Sequence, residues 1–263
     1  MHIVVCVKQV PDSTEIKIDI ETGTLIRAGV PSIINPYDHF ALQKAIELKK
    51  AHKCKLTVIS MGPPQAKSVI QLGIALGADD GILLSDRAFA GSDTWATSYV
   101  ISKAIKKVGK IDIILCGMQA IDGDTAQVGP GIAQHLAMPQ VTFCEDIKID
   151  GKKIIVRKLI DGGYEIIEAN SPALFTMIMP KDFEPRYPAF MDIHNSLDKP
   201  YHQWSMADIG AEEQYIGLKG SPTQVDRIYP PPAREKAEMI SGGANEAVEK
   251  IVDIFEKENF LKI

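Results

Sequence analysis

Over roughly its first 140 residues the chain alternates short apolar runs with longer stretches of helical spacing. That alternation constrains the fold more than any other feature, because it is the mark of a parallel β-sheet covered by helices on both faces. The apolar runs fall at residues 3–7, 56–61, 82–84 and 111–116. They are near-continuous rather than alternating, as strands buried on both faces must be. Between them, Asn35-Pro36-Tyr37-Asp38 opens a helix to about residue 51, and Gly62-Pro63-Pro64 turns the second strand into a helix that ends near Gly77. A third helix is predicted over residues 93–108, and residues 132–136 lie on a fourth.

The pattern then changes. Asp150-Gly151-Lys152-Lys153 and Asp161-Gly162-Gly163 each separate two apolar segments, which predicts two antiparallel hairpins attached to the parallel core. Residues 173–179 read as another buried strand. Past Pro180 the periodicity is lost, and prolines at 185, 188, 200, 222 and 230–232 punctuate the chain. Such a segment cannot build a core of its own. Helical spacing returns over residues 245–260, while Ser241-Gly242-Gly243, with no buried strand before it, reads as the start of that helix. The expected organisation is an α/β domain over residues 1–180, with a doubly wound, mostly parallel sheet and an added hairpin region. Residues 181–263 form an extended arm that ends in a helix and reaches a partner subunit.

Composition removes several function classes. The net charge of −5, with no run of Lys and Arg interleaved with aromatics, argues against a nucleic-acid binder. No apolar stretch approaches a membrane span, and the first residues lack the long apolar region and cleavage site of a signal peptide. Cys6, Cys54, Cys116 and Cys144 form no CxxC pair and read as buried, inert thiols of a cytoplasmic protein. The six histidines are dispersed, without ligand spacing. No Ser-His-Asp, Cys-His or paired-carboxylate arrangement is evident, which favours a binding or cofactor-carrying role.

The candidate chemistry lies in residues 117–131, Gly-Met-Gln-Ala-Ile-Asp-Gly-Asp-Thr-Ala-Gln-Val-Gly-Pro-Gly. A buried strand ends there, and a polar loop runs into a helix. Ligands of open α/β sheets bind at that end of the strands, and a helix N-terminus offers unpaired N–H groups to a phosphate. Thr125 adds a hydroxyl, and Gly123, Gly129 and Gly131 allow close approach of the backbone to a ligand. Neither a Walker A nor a GxGxxG pattern is present. The plainer reading is an ordinary connection with Asp124 or Thr125 as helix cap. The loop around Gly91, Ser92, Asp93 and Thr94 is either a second wall of the same pocket or a simple cap. Residues 7–11 and 35–38 are placed either to grip a ribose or adenine or to serve as turn and cap residues.

These segments together resemble the β subunit of electron-transfer flavoproteins. The resemblance is carried by Ile3-Val4-Val5-Cys6-Val7-Lys8-Gln9-Val10-Pro11-Asp12, by Asn35-Pro36-Tyr37-Asp38 and by residues 119–129. Residues 156–167 with Pro172 match the family signature, except that Phe175 stands where an aliphatic residue is usual, and residues 217–223 are a further match.

The resemblance implies a heterodimer with an α subunit and electron transfer with a flavoprotein dehydrogenase. It places a recognition loop after Pro185-Arg186-Tyr187, with Phe190 as the apolar anchor that docks the dehydrogenase. Residues 194–199, His-Asn-Ser-Leu-Asp-Lys, stand where some members carry a lysine-rich run. Simple members hold AMP in the β-subunit pocket. Bifurcating members hold a second FAD there, which takes a hydride from NADH and divides the electrons between ferredoxin or flavodoxin and the α-subunit FAD. The small Ala126, and the segment containing Gly91, Thr94 and Thr97, resemble the bifurcating group. On that reading Asp122, Gly123, Asp124, Thr125, Ala126, Gln127, Val128 and Gly129 hold the FAD phosphates. Asn35 and Asp38 contact the adenosine, and Val7 and Met61 line the adenine slot. An AMP-binding subunit, and a stand-alone nucleotide-binding stress or signalling protein, remain as alternatives.

Overall fold

The computed structural model describes residues 1–12, 31–151, 153–226, 239–240, 242–258 and 260. In chain order its principal elements begin with β1 (His2–Cys6), β2 (Gln9–Pro11), β3 (Ser32–Ile34), α1 (Pro36–His52), β4 (Lys55–Met61), α2 (Lys67–Leu76), β5 (Asp80–Leu84) and α3 (Thr94–Val108). There follow β6 (Ile113–Gly117), α4 (Val128–His135), β7 (Gln140–Asp150), β8 (Lys153–Ile160), β9 (Gly163–Asn170), β10 (Ala173–Met177), α5 (Phe190–Ser196), β11 (Tyr201–Trp204), α6 (Met206–Ile209) and α7 (Ala244–Lys257).

One sheet takes nine of the strands in the order β11-β5-β4-β1-β6-β10-β7-β8-β9. From β11 to β7 every neighbouring pair is parallel, and β7-β8-β9 continue antiparallel. The apolar runs are strands because both their faces are covered. Ile3, Val5, Ile113, Leu115 and Phe175 pack under α1 and α2, whereas Val4, Ile114 and Leu174 pack under α3 and α4. All five residues of β6 are buried, which is why its sequence shows no alternation. The outer strands β8 and β9 are covered less and do alternate. The expected doubly wound α/β sheet with an antiparallel addition is therefore present.

Three details add to or differ from the sequence reading. β2 and β3 pair as a small antiparallel ribbon across a segment that showed only turn residues. β10, whose place in the sheet the sequence left open, inserts between β6 and β7. Within the segment expected to be an arm, β11 joins the sheet as an edge strand on β5, where Pro200 before it costs no interior ladder bond. The chain forms one compact unit over Met1–Asp226 and a second over Arg227–Ile263. In the second unit α7 carries Val248, Ile251, Ile254 and Phe255 as exposed apolar residues and buries none. Residues 230–232 and Ser241 lie outside the described residues, while Gly243 stands at the N-cap of α7. Among the described residues no helix is long and apolar enough to cross a membrane.

Candidate functional site

The chain leaves β1 for β4 and β5 and returns on the other side of β1 as β6. The carboxyl ends of β1 and β6 thus flank the point where strand order reverses, the place at which open α/β sheets bind ligands. Residues 118–127 rise from β6 over this point and lead into α4.

Two polar residues at the start of α1 build the crevice. Asn35, fully buried, donates from Nδ2 to the Gln119 carbonyl at 2.8 Å and accepts from the Ile121 N–H at 3.2 Å. The Asp38 carboxylate accepts from the Lys8 N–H at 2.8 Å and the Gly117 N–H at 3.0 Å, tying the ends of β1 and β6 together. Burial pushes the Asp38 carboxyl up to about 7, against the opposing pull of the Asn35 amide and these two N–H donors. The expected contact of Asn35 and Asp38 with adenosine is accordingly not what their side chains do here. A buried polar group has to be satisfied, and theirs are satisfied by the loops.

The loop above is braced at both ends of its polar stretch. Lys8 Nζ grips both Asp122 oxygens, at 2.7 and 2.8 Å. Gln119 Nε2 donates to Asp124 Oδ1 at 2.8 Å, and Thr94 Oγ1 meets Gln127 Oε1 at 3.0 Å. The last bond joins the two loops that the sequence offered as walls of one pocket. Neither Asp124 nor Thr125 caps α4, because the N-cap is Gln127, whose side chain makes no capping bond. No capping side chain therefore takes the first N–H groups of α4. By contrast, the Asp93 carboxylate caps α3 through the Ala96 N–H at 3.0 Å and also holds Thr223.

The backbone of this loop is unusual at two non-glycine residues, Asp124 (φ 47°) and Ala126 (φ 53°). Ala126 precedes Gln127 at φ −104°, ψ −21°. Consecutive residues of opposite hand turn successive N–H groups to one side, which makes a concavity for an anion.

Two glycines have a different role from the one expected. A Cβ on Gly129 would lie 2.6 Å from Thr176 Cγ2, and one on Gly131 would strike Ser98. Both glycines let α4 pack closely on β10 and α3, and of Gly123, Gly129 and Gly131 it is Gly123 that stands free of neighbours. Gly91, at φ 76°, approaches Leu218. Thr97 is half-buried on α3 with its N–H given to Asp93. Val7 packs on the α1 side of the sheet and Met61 borders the α3 side, so the two side chains belong to different clusters. Val128 borders the α3 cluster at the first turn of α4.

The sequence reading placed Lys8 in the candidate segment 7–11 but gave it no role of its own. Its only signal was a lone cation immediately past a buried strand. A separate cavity of about 480 Å³ lies away from the crevice, lined by Pro36, His39, Val69, Leu72, Phe183 and Tyr187 among others. His39 Nε2 is committed there to the Arg186 carbonyl at 2.9 Å.

Residues 22–205 match the electron transfer flavoprotein domain. Over 261 residues, 99% of this chain and 100% of the other, the sequence is 47% identical to the electron transfer flavoprotein subunit beta of Clostridium acetobutylicum. The chain belongs to the electron transfer flavoprotein β-subunit family. It is also 51% identical to the caffeyl-CoA reductase-Etf complex subunit CarD of Acetobacterium woodii, over 92% of each chain. Identity to the acryloyl-CoA reductase electron transfer subunit gamma of Anaerotignum propionicum is 44%, over 96% of this chain and 97% of the other. Membership sets aside the stand-alone stress or signalling protein. It also directs attention to Phe190, which opens α5 with 81% of its surface exposed beside the exposed Met191, Leu197 and Tyr187.

Proposed function

We propose that this electron transfer flavoprotein β subunit pairs with an α subunit and holds an FAD in the crevice at the ends of β1 and β6. The observation that carries the reading is the uncapped N-terminus of α4 beneath the Ala126–Gln127 turn. Those N–H groups and the positive end of the helix dipole suit a diphosphate, and Lys8 adds a cation at the rim. Asp122 to Gly129 would hold the phosphates. Asn35 and Asp38 would act one step removed, by fixing the loops that make the contacts. The half-buried Met61 and the backbone after β1 would border the adenine.

A bound FAD supplies hydride acceptance from NADH and the release of electrons one at a time, and the protein supplies placement and electrostatics. In this reading one electron goes to ferredoxin or flavodoxin and the other, through the α-subunit FAD, to a flavoprotein dehydrogenase docked at Phe190. Support for FAD over AMP comes from the small Ala126, where AMP-type members carry bulkier polar residues, and from the likeness to a subunit of a caffeyl-CoA reductase-Etf complex.

The test is a flavin and nucleotide count on the purified heterodimer. Two FAD per heterodimer, one of them lost in Thr125→Trp, is the expected result. One FAD and one AMP overturns the bifurcating reading, and full cofactor retention in Thr125→Trp overturns the site.

A further inference from the structure

Two of the four cysteines, read from sequence as buried, inert thiols, stand against each other. Cys6 ends β1, Cys116 is the penultimate residue of β6, and they are direct register partners across the β1–β6 ladder. Their side chains lie on the same face, in the cluster under α3 and α4. Adjacent strands run roughly 4.8 Å apart, within the Cα separation of about 4.4–6.8 Å that a disulfide spans. Both thiols are free in this structure.

Their position gives the pair a meaning. Cys116 lies beneath the first turn of α4, its Cβ 3.7 Å from where a Cβ on Gly129 would stand. Residues 121–127, which lead into α4, are all exposed except the half-buried Ala126. Cys6 retains 9% of its surface and Cys116 5%, so both are buried and a peroxide reaches them only when the structure above them opens.

We propose that Cys6 and Cys116 form a dithiol in the floor of the nucleotide crevice, which a hydroperoxide closes to a disulfide when the crevice is empty and which a bound nucleotide shields. The shielding rests on the nucleotide reading above. The dithiol does not. In the first step the Cys6 sulfur attacks a peroxide oxygen and the O–O bond breaks. Cys6 becomes a sulfenic acid, and the departing oxygen takes a proton to leave as water or alcohol. In the second step the Cys116 sulfur attacks the Cys6 sulfur. The S–O bond breaks, and water leaves with the Cys116 proton. Two thiols lose two electrons, and one hydroperoxide gains them. Cys6 keeps more exposed surface than Cys116, so it meets the peroxide first, and the neighbouring Cys6 and burial hold the Cys116 thiol well above its ordinary range. Burial pushes the Cys144 thiol to about 12, and its Sγ is given to the Val141 carbonyl, so it should stay silent.

The experiment exposes the purified complex to hydrogen peroxide, as isolated and after its nucleotide has been stripped, with FAD and AMP binding measured on the same samples by equilibrium dialysis. Peptide mass spectrometry then locates any disulfide. A Cys6–Cys116 crosslink in the stripped protein is expected, reversed by dithiothreitol and absent in Cys6→Ala. It should form about tenfold more slowly with nucleotide at about ten times its Kd. Failure to crosslink in stripped protein, with the thiols still titrating, overturns the proposal and leaves the nucleotide reading intact. Equal crosslinking rates with and without a nucleotide shown to be bound overturn the shielding. A crosslink in protein that binds neither nucleotide supports the dithiol and overturns the nucleotide reading.

Discussion

Lys8 and Asp122, 114 residues apart in sequence, form a two-pronged ion pair of 2.7 and 2.8 Å across the rim of the crevice. Lys8 is 46% exposed, so solvent screens the pair and its worth to stability is small. Its use is to hold the loop and, in the proposed site, to place a cation at the rim of the crevice. In Lys8→Gln, the urea midpoint should move by less than about 1 kcal/mol equivalent. FAD or AMP affinity, measured by calorimetry on the heterodimer, should fall about tenfold, the size of one charge-assisted contact. Unchanged affinity would remove Lys8 from the site.

Asp38 links stability to pH. Its carboxyl titrates at about 7 in the folded chain, against about 3.9 unfolded. Between these values the folded state binds more protons than the unfolded one. The stabilising contribution of the protonated group is therefore complete below about pH 4 and is lost as pH rises through about 7. Relative to Asp38→Asn, the wild type should lose about 2–3 kcal/mol between pH 5 and pH 8, read from denaturant unfolding of the two proteins side by side. Parallel pH profiles would show that Asp38 is already ionised throughout that range.

Gly129 tests whether close packing of α4 sets the loop. Gly129→Ala puts a methyl 2.6 Å from Thr176 Cγ2 and should cost about 1–3 kcal/mol in stability, with weaker nucleotide binding as α4 shifts. Thr176→Ser removes that methyl but keeps the hydroxyl, which accepts from the Phe143 N–H. The double variant should recover roughly 1 kcal/mol beyond additivity. Simple additivity of the two costs would contradict the contact.

Phe190 is exposed on α5 and makes no use of the crevice. Phe190→Ala should leave cofactor content unchanged while raising the KM for the dehydrogenase partner roughly thirtyfold, the effect of losing an anchor worth about 2 kcal/mol. An unaltered KM would place the docking surface elsewhere.

The order of β1, β4, β5, β6 and the helices between them was legible because burial on one or two faces imposes its period on neighbouring residues. Residues 117–131 showed where a strand meets a helix for the same reason. β11 escaped detection because four residues after a proline carry no period, and only the free edge of β5 makes them a strand.

Within the site, the sequence by itself determined the loop, its glycines and its polar composition, and family resemblance pointed to a nucleotide. Tertiary structure decided what each residue does. Asp38 lies 79 residues from Gly117, Lys8 114 from Asp122, and Cys6 meets Cys116 only through strand register. Such partners are chosen by how strands align and helices pack, and no local spacing encodes that choice. So Gly129 and Gly131, which look like room for a ligand, are room for a helix. Asn35 and Asp38, which look like ligand contacts, hold the walls.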